Sequence, residues 1–326
     1  MAGSGATGAH RVFVLGGSGT IGIAAVEALC EEGHQVVCLA RPQSANKIPA
    51  QAEVRLGEAA DAVSLRQDGF RGERFDVLLS CLASRSGEPA DAWAIDHRAN
   101  VEALAAAREA GVRHVVLLSA ICVQKPRLAF QHAKLAFEKE LIDSGLTYSI
   151  VRPTAYFKSL SGQIARVRQG KPFLVFGDGR LTATKPISDR DTGRFLARCL
   201  SDPACHNRIL PVGGPGEAIT PRQQAELLFE LLGERPRIRQ VPVALLDAIV
   251  FGLSAAGLVS TRLKAKAELA RIGRYYATES MLVWDEADGR YDAAATPSFG
   301  ADSLADHYRR VLAGEAETGL GAHSVF

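Results

Sequence analysis

Arg11-Val-Phe-Val-Leu15 runs directly into Gly16-Gly-Ser-Gly-Thr-Ile-Gly22, and this stretch decides the fold class of the chain. A short apolar run reads as a buried strand. The amphipathic segment from Ile23 to Glu32 reads as a helix that Gly33 can end. Between them Gly16, Gly17, Ser18, Gly19, Thr20, Ile21 and Gly22 form a tight turn. The glycines let the backbone bend sharply, approach a pyrophosphate without a Cβ in the way, and bring helix and strand close together. The helix start then offers unpaired N–H groups and a positive dipole end to the anion. Strand, glycine turn and helix in this order predict a dinucleotide site. The earlier Gly3-Ser-Gly-Ala-Thr-Gly8 has no strand before it, so residues 1–10 are read as a disordered tail.

Working outward, strand and helix signals alternate as a parallel sheet requires. Strands are predicted at Gln35–Ala40, Val54–Leu56, Asp76–Ser80, Val115–Ser119 and Tyr148–Val151. Helices are predicted at Trp93–Ala110 and Gln131–Ser144, each stopped by a glycine. The fold class is therefore α/β, a Rossmann-type doubly wound parallel sheet with a smaller C-terminal substrate-binding region. The expected division is a Rossmann domain over 11–152, completed by a strand near 208–213, with 153–326 mainly binding substrate.

The second strand ends in Arg41. An acidic residue there would suit free ribose hydroxyls, whereas the planar fork of an arginine suits a 2′-phosphate. This favours NADPH. The loop Cys81, Leu82, Ala83 leaves the fourth strand beside the predicted cofactor. Ser119 ends the fifth strand, and Pro153 and Thr154 follow the sixth at the carboxyl edge, where open α/β sheets place ligands.

Phe130-Gln-His-Ala-Lys134 occupies the place of the Tyr-x-x-x-Lys of short-chain dehydrogenases, with Ser119 where their serine stands. Lysine and serine are kept, but phenylalanine replaces the tyrosine that gives a proton to a carbonyl oxygen. Such a site reads as a hydride donor to a carbon–carbon double bond, or as a cofactor-binding sensor without chemistry. Lys134 also reads as a surface lysine on an amphipathic helix that buries Phe130 and Phe137. Further on, Gly177-Asp-Gly179 reads as a turn between two short strands, Ser188 to Asp191 as a capping box, and Thr220-Pro-Arg-Gln223 as a capped helix start.

With 38 basic and 36 acidic residues in 326, the chain has no electrostatic footprint for nucleic acid. The six cysteines are scattered without a C-x-x-C pair, so neither a zinc site nor an iron–sulfur cluster is expected. A secretory signal pattern is lacking, which makes a cytoplasmic protein the default. The most apolar stretch, 241–260, contains Pro242, Asp247 and several glycines. It reads as a helix lining an apolar pocket or touching a membrane surface in preference to a spanning segment.

Several blocks together resemble one family. They are Ser80 to Arg85, Leu117 to Pro126, Phe130 to Lys134, Ser149 to Leu160, Gly170 to Pro172, Phe176 to Gly179, Lys185 to Ser188, Gly213 to Gly216 and Ile272 to Met281. The chain from about Arg11 onward is similar to the NADPH-dependent divinyl chlorophyllide 8-vinyl reductases, an atypical short-chain dehydrogenase group. The resemblance implies a chlorophyllide-type tetrapyrrole substrate whose 8-vinyl group becomes ethyl in chlorophyll or bacteriochlorophyll biosynthesis. It implies Lys134 at the nicotinamide ribose and Tyr156 as candidate proton donor. Phe157, Tyr275 and Tyr276 become candidate substrate contacts, and 241–260 a candidate contact with the photosynthetic membrane. The plastid-targeting extension of plant members is absent, which suggests a bacterial enzyme.

Overall fold

The computed structural model describes residues 8–85, 88–257 and 260–315. Residues 1–7 of the expected tail lie outside them. His10 donates its backbone N–H to His34 Nδ1 at 3.1 Å, and its carbonyl accepts from Gln35.

Seven strands form one parallel sheet: β1 (Arg11–Leu15), β2 (Gln35–Ala40), β3 (Glu53–Leu56), β4 (Val77–Ser80), β5 (His114–Leu118), β6 (Thr147–Pro153) and β8 (Arg208–Val212). Their order is β3-β2-β1-β4-β5-β6-β8. All the pairs are parallel, with Val12 opposite both Val36 and Val77. The order reverses at β1, so a crevice opens between the loops after β1 and β4. That is the topological switch point where such sheets bind ligands.

The central strands are near-continuous apolar runs because helices cover both faces. One face packs Val12, Val14, Val26, Leu79 and Leu196 together, and the other packs Phe13, Leu15, Leu78, Phe137 and Leu141. Helices α1 (Thr20–Glu31) and α4 (Asp189–Ser201) lie on the first face; α2 (Asn100–Glu109) and α3 (Ala129–Asp143) lie on the second. A Cβ on Gly193 would sit 2.4 Å from the Ala24 carbonyl oxygen, so α4 rests directly on the backbone of α1.

The predicted helix at Trp93–Ala110 starts earlier and is not uniform. Pro89–Ala92 passes through a π-helical turn at Trp93–Ala99 before α2 begins. There Asn100 Nδ2 donates to the Ile95 and Asp96 carbonyls, and Ser80 Oγ donates to Asn100 Oδ1 at 2.5 Å. Such widened turns recur at functional sites.

Beyond β6 a second, smaller core gathers Phe157, Phe173, Val175, Phe229, Leu304 and Tyr308. It joins β7 (Phe173–Phe176), α5 (Pro221–Leu231), β9 (Ile238–Val241) and α8 (Leu304–Ala313), with α6 (Val243–Ala256) and α7 (Thr261–Thr278) forming a hairpin before α8. Two expectations need correction. The Gly177–Gly179 turn follows the short strand β7, but the second short strand expected after it does not form, and β7 takes a parallel partner, β9, from some sixty residues away. After the turn, Thr184 makes only isolated bridges to Ile219 and Met281. Ser188 does cap α4, accepting from the Asp191 N–H at 2.9 Å, but the Asp191 carboxylate accepts from Ala301 and Asp302 instead of closing the box. The Thr220/Gln223 capping box is present in full.

Candidate functional site

The glycine loop sits where β1 meets α1. Gly16 has φ +75°, a region costly for residues with a Cβ, and a Cβ there would lie 2.5 Å from the Cys81 carbonyl oxygen. The loops after β1 and β4 therefore touch through bare backbone. At Gly22 a Cβ would lie 2.1 Å from the Gly16 carbonyl oxygen, so the loop can fold onto α1 only with glycine there. Gly19 is the N-cap of α1, and neither a capping side chain nor an acidic residue in the first turn occupies the helix start. Ser18, Thr20 and Ile21 complete the loop. The Gly19 N–H turns back to the Gly16 carbonyl at 3.0 Å, and the N–H groups of the first turn of α1 with the positive end of the helix dipole fit a pyrophosphate.

Arg41 follows β2 at the head of the short turn Pro42–Lys47. Its guanidinium, half-buried, has no ion-pair or hydrogen-bond partner among the described residues, as a 2′-phosphate ligand would need. Arg41→Ala should weaken NADPH binding by about tenfold to a hundredfold, the worth of a charge-assisted contact, and leave NADH binding nearly unchanged. Titration of both cofactors into the variant checks this; equal losses would remove Arg41 from the phosphate site.

Cys81, Leu82 and Ala83 lie just beyond the carboxyl end of β4, Ser119 just beyond that of β5, and Pro153 and Thr154 are the last residue of β6 and the first after it. Two of their hydroxyls are held by protein. Ser119 Oγ donates to Glu138, a buried carboxylate that also pairs with Arg152. Thr154 Oγ1 donates to the Lys185 carbonyl at 2.5 Å. Backbone and position, more than these hydroxyls, are what the two residues offer a ligand.

Lys134 is not a surface lysine. Its side chain is 11% exposed, and Nζ lies 2.9 Å from Oδ1 of Asp96, which is itself 1% exposed and accepts from Ser84 Oγ at 2.6 Å. Asp96 belongs to the π-helical turn, so the distortion in that helix and the partner of the lysine are one feature. An ammonium has three donors, and this pair takes one. Lys134 is close enough to Cys81 and Cys122 to favour both thiolates, although burial dominates and pushes the Cys81 thiol up to about 12. The cysteines read from their burial as inert packing.

Phe130 is half-buried against Ile121, Cys122, Leu128 and Tyr275. No phenol stands at this position. Tyr156, on the strand-like segment after β6, bridges Ile187 in parallel. Burial first, then Asp189, Cys81 and Cys122, push its phenol upward, so it stays protonated.

The tyrosines of α7 part company. Tyr275 is 4% exposed, and its hydroxyl donates to the Cys122 and Lys125 carbonyls at 2.9 and 3.1 Å; it builds the wall and does not face a ligand. Tyr276 is 41% exposed, with its hydroxyl 3.9 Å from Cys122 Sγ. Glu279 pins this end of α7 by pairing with Lys125 at 2.8 Å and Arg127 at 3.1 Å. Phe157, expected at the substrate, is 3% exposed and packs in the second core. Its neighbours Ile164, Val167 and Phe173 leave it no open face.

Sequence reasoning missed Asp96, Glu138, Lys158 and Asp189. The parallel bridge between Tyr156 and Ile187 puts Lys158 alongside Asp189, whose carboxyl is raised by burial against the opposing effect of Lys158. Only Asp96 left a signal, four residues before Asn100 on the same helix face. The groove lined by Arg11, Arg74, Phe75, Asp76, Gly111 and Arg113 lies at the opposite, amino edge of the sheet.

A family described as NAD(P)H-binding matches residues 16–203, a range that runs from the glycine loop through β2 to β6 and on to α4. The chloroplastic divinyl chlorophyllide a 8-vinyl-reductase of Oryza sativa subsp. indica is 46% identical over 97% of this chain and 82% of its own length. The chain belongs to the divinyl chlorophyllide a 8-vinyl-reductase family. The Arabidopsis thaliana member is 42% identical over 93% of the chain and 76% of its own length. These extents take in the second core and the α6–α7 hairpin of this 8-vinyl-reductase family member, and not its nucleotide half alone. In fold it is similar to the NADPH-dependent quinone oxidoreductase QOR2 of Escherichia coli, solved with NADPH (TM-score 0.68, 19% identity, 93% of this chain and 100% of that one).

Proposed function

We propose that this chain uses NADPH to reduce the 8-vinyl group of 3,8-divinyl chlorophyllide a, or its protochlorophyllide precursor, to an ethyl group. The observation that carries the reading is the site itself. A short-chain dehydrogenase frame keeps its lysine in a buried ion pair while Phe130 fills the place of the carbonyl-protonating tyrosine, in a chain whose relatives bear the name of this activity.

The glycine loop and Arg41 would hold NADPH, which would supply the hydride for the terminal vinyl carbon, and the charge left on the substrate would spread over the conjugated macrocycle. No alkoxide forms, so the phenol is not needed. Asp96 holds the Lys134 ammonium at the ribose, where its remaining donors and its charge favour the transition state. Tyr156, protonated at rest, is the proposed donor to the inner vinyl carbon, and water returns a proton to the phenolate, which its buried surroundings disfavour. Tyr276 offers a partly exposed ring beside Cys122 for the pigment to lie against. Turnover of dispersed pigment does not depend on the membrane contact expected of 241–260, which is a separate question.

The test is NADPH-dependent conversion of divinyl to monovinyl chlorophyllide by purified protein, followed by absorbance. Cofactor binding with no turnover of the pigment would favour a sensor, and turnover of small aromatic alkenes alone would favour a different reductase. Phe130→Tyr should leave vinyl reduction largely intact. Phe130→Ala should cost less than the roughly 3 to 5 kcal/mol lost at a fully buried phenylalanine. A large rate gain from Phe130→Tyr, measured under the same conditions, would mean that a proton donor was wanted at that position.

A further inference from the structure

Helix α6 is apolar around most of its circumference, Asp247 and Ser254 being its two polar side chains, yet only one side of it is covered. Val243, Leu246, Val250 and Leu253 form a stripe that is partly or fully buried against α7. Arg271 of α7 donates to Ser254 Oγ at 2.9 Å across this contact. The remaining surface carries Ala244, Leu245, Ala248, Ile249, Phe251, Gly252 and Ala255, all exposed. Leu245 is 51%, Ile249 41% and Phe251 78% open to solvent. A contiguous apolar face of this kind marks an interaction surface. The single charge on α6, Asp247, is paired with Arg274 of α7.

The first turns of α7 fold back beside the end of α6; a Cβ on Gly257 would lie 3.1 Å from the Lys264 Cα. Lys264 and Lys266 are exposed there, and neither has a partner among the described residues. The apolar face is thus edged by two free cations and holds no unpaired acid.

We propose that α6 and the start of α7 form a foot that seats this protein on the anionic surface of a bilayer. The helix lies in the interface plane with Leu245, Ile249 and Phe251 among the acyl chains, and Lys264 and Lys266 on anionic headgroups. At 14 residues α6 reaches about 21 Å, short of the roughly 30 Å hydrocarbon core, so it rests on the membrane without crossing it. Among the described residues no helix is long and apolar enough to cross. A second copy of the chain is a poorer occupant, because this face offers its lysines no free acidic partner. The other end of α7 carries Tyr276, about 18 Å from Lys264 along the helix. On the reading that the site takes a tetrapyrrole, the same hairpin therefore links the bilayer to the pigment site.

The experiment is sedimentation of the full chain with phosphatidylcholine vesicles, with and without phosphatidylglycerol, at low and high salt. Binding should require phosphatidylglycerol and weaken as salt rises. Phe251→Glu, and separately Lys264→Glu together with Lys266→Glu, should each lower binding by about tenfold or more. Phe251→Glu should leave turnover of detergent-dispersed pigment unchanged. Absence of binding by the unaltered chain, variants that bind like it, or a dimer in analytical ultracentrifugation that Phe251→Glu dissociates would each overturn the proposal. Vesicle binding is read without pigment, so its failure is distinguishable from failure of the reductase reading.

Discussion

Lys134→Ala is expected to lose turnover by about a hundredfold or more, the size seen when one preorganised electrostatic group is removed from an active site. It should also lose stability. Asp96 is 1% exposed and would keep Ser84 alone as a side-chain partner among the described residues, and stranding one member of a buried ion pair costs about 3 to 5 kcal/mol. The two losses have different origins and can be separated. Asp96→Asn combined with Lys134→Met removes the stranded charge and keeps the volume, so denaturant midpoints should recover much of the loss while turnover stays low. Recovery of turnover together with stability would make the lysine a structural residue. Lys134→Arg should rescue only in part, since a planar fork differs in shape from a compact ammonium.

Gly22→Ala is the second change with a large expected effect. The new Cβ would fall 2.1 Å from the Gly16 carbonyl oxygen and 2.9 Å from the Gly17 Cα, and both are backbone atoms with no rotamer to change. The loop must move away from α1, which turns the helix N–H groups and the pyrophosphate cradle out of register. Overpacking of this kind costs about 1 to 3 kcal/mol in stability, and NADPH binding should fall below detection by calorimetry. Gly33→Ala is the control: a Cβ there meets nothing within 4 Å, and the site is remote from the loop, although its φ of +82° costs some stability. A Gly22→Ala variant that binds NADPH normally would show that the loop does not cradle the cofactor.

Much of this was legible in the chain because it is local. Arg11–Leu15, the glycine loop and α1 are contiguous, and their chemistry depends on neighbours within a few residues. The strand at Gln35–Ala40 and the caps at Ser188 and Thr220 are of the same kind. Harder to read were features in which the phase of an element matters. Tyr275 and Tyr276 are adjacent on one helix, so their side chains point about 100° apart. Which one meets the core follows from how α7 is rotated, and Glu279 sets that rotation through Lys125 and Arg127, about 150 residues away in the chain.

By itself, the sequence determined a parallel α/β sheet with a dinucleotide site at its carboxyl edge, an arginine after β2, and a lysine without its usual tyrosine. Only the tertiary structure decided that Lys134 is paired with Asp96, that Ser119 is held by Glu138, that Phe157 and Tyr275 are packed away while Tyr276 is open, and that β7 pairs with β9. It also decided that α6 leaves an apolar face uncovered. The physical reason is the same in each case. Backbone periodicity and turn chemistry are set by residues close in sequence, whereas burial, charge pairing and strand partnership are set by which distant elements come to lie against one another.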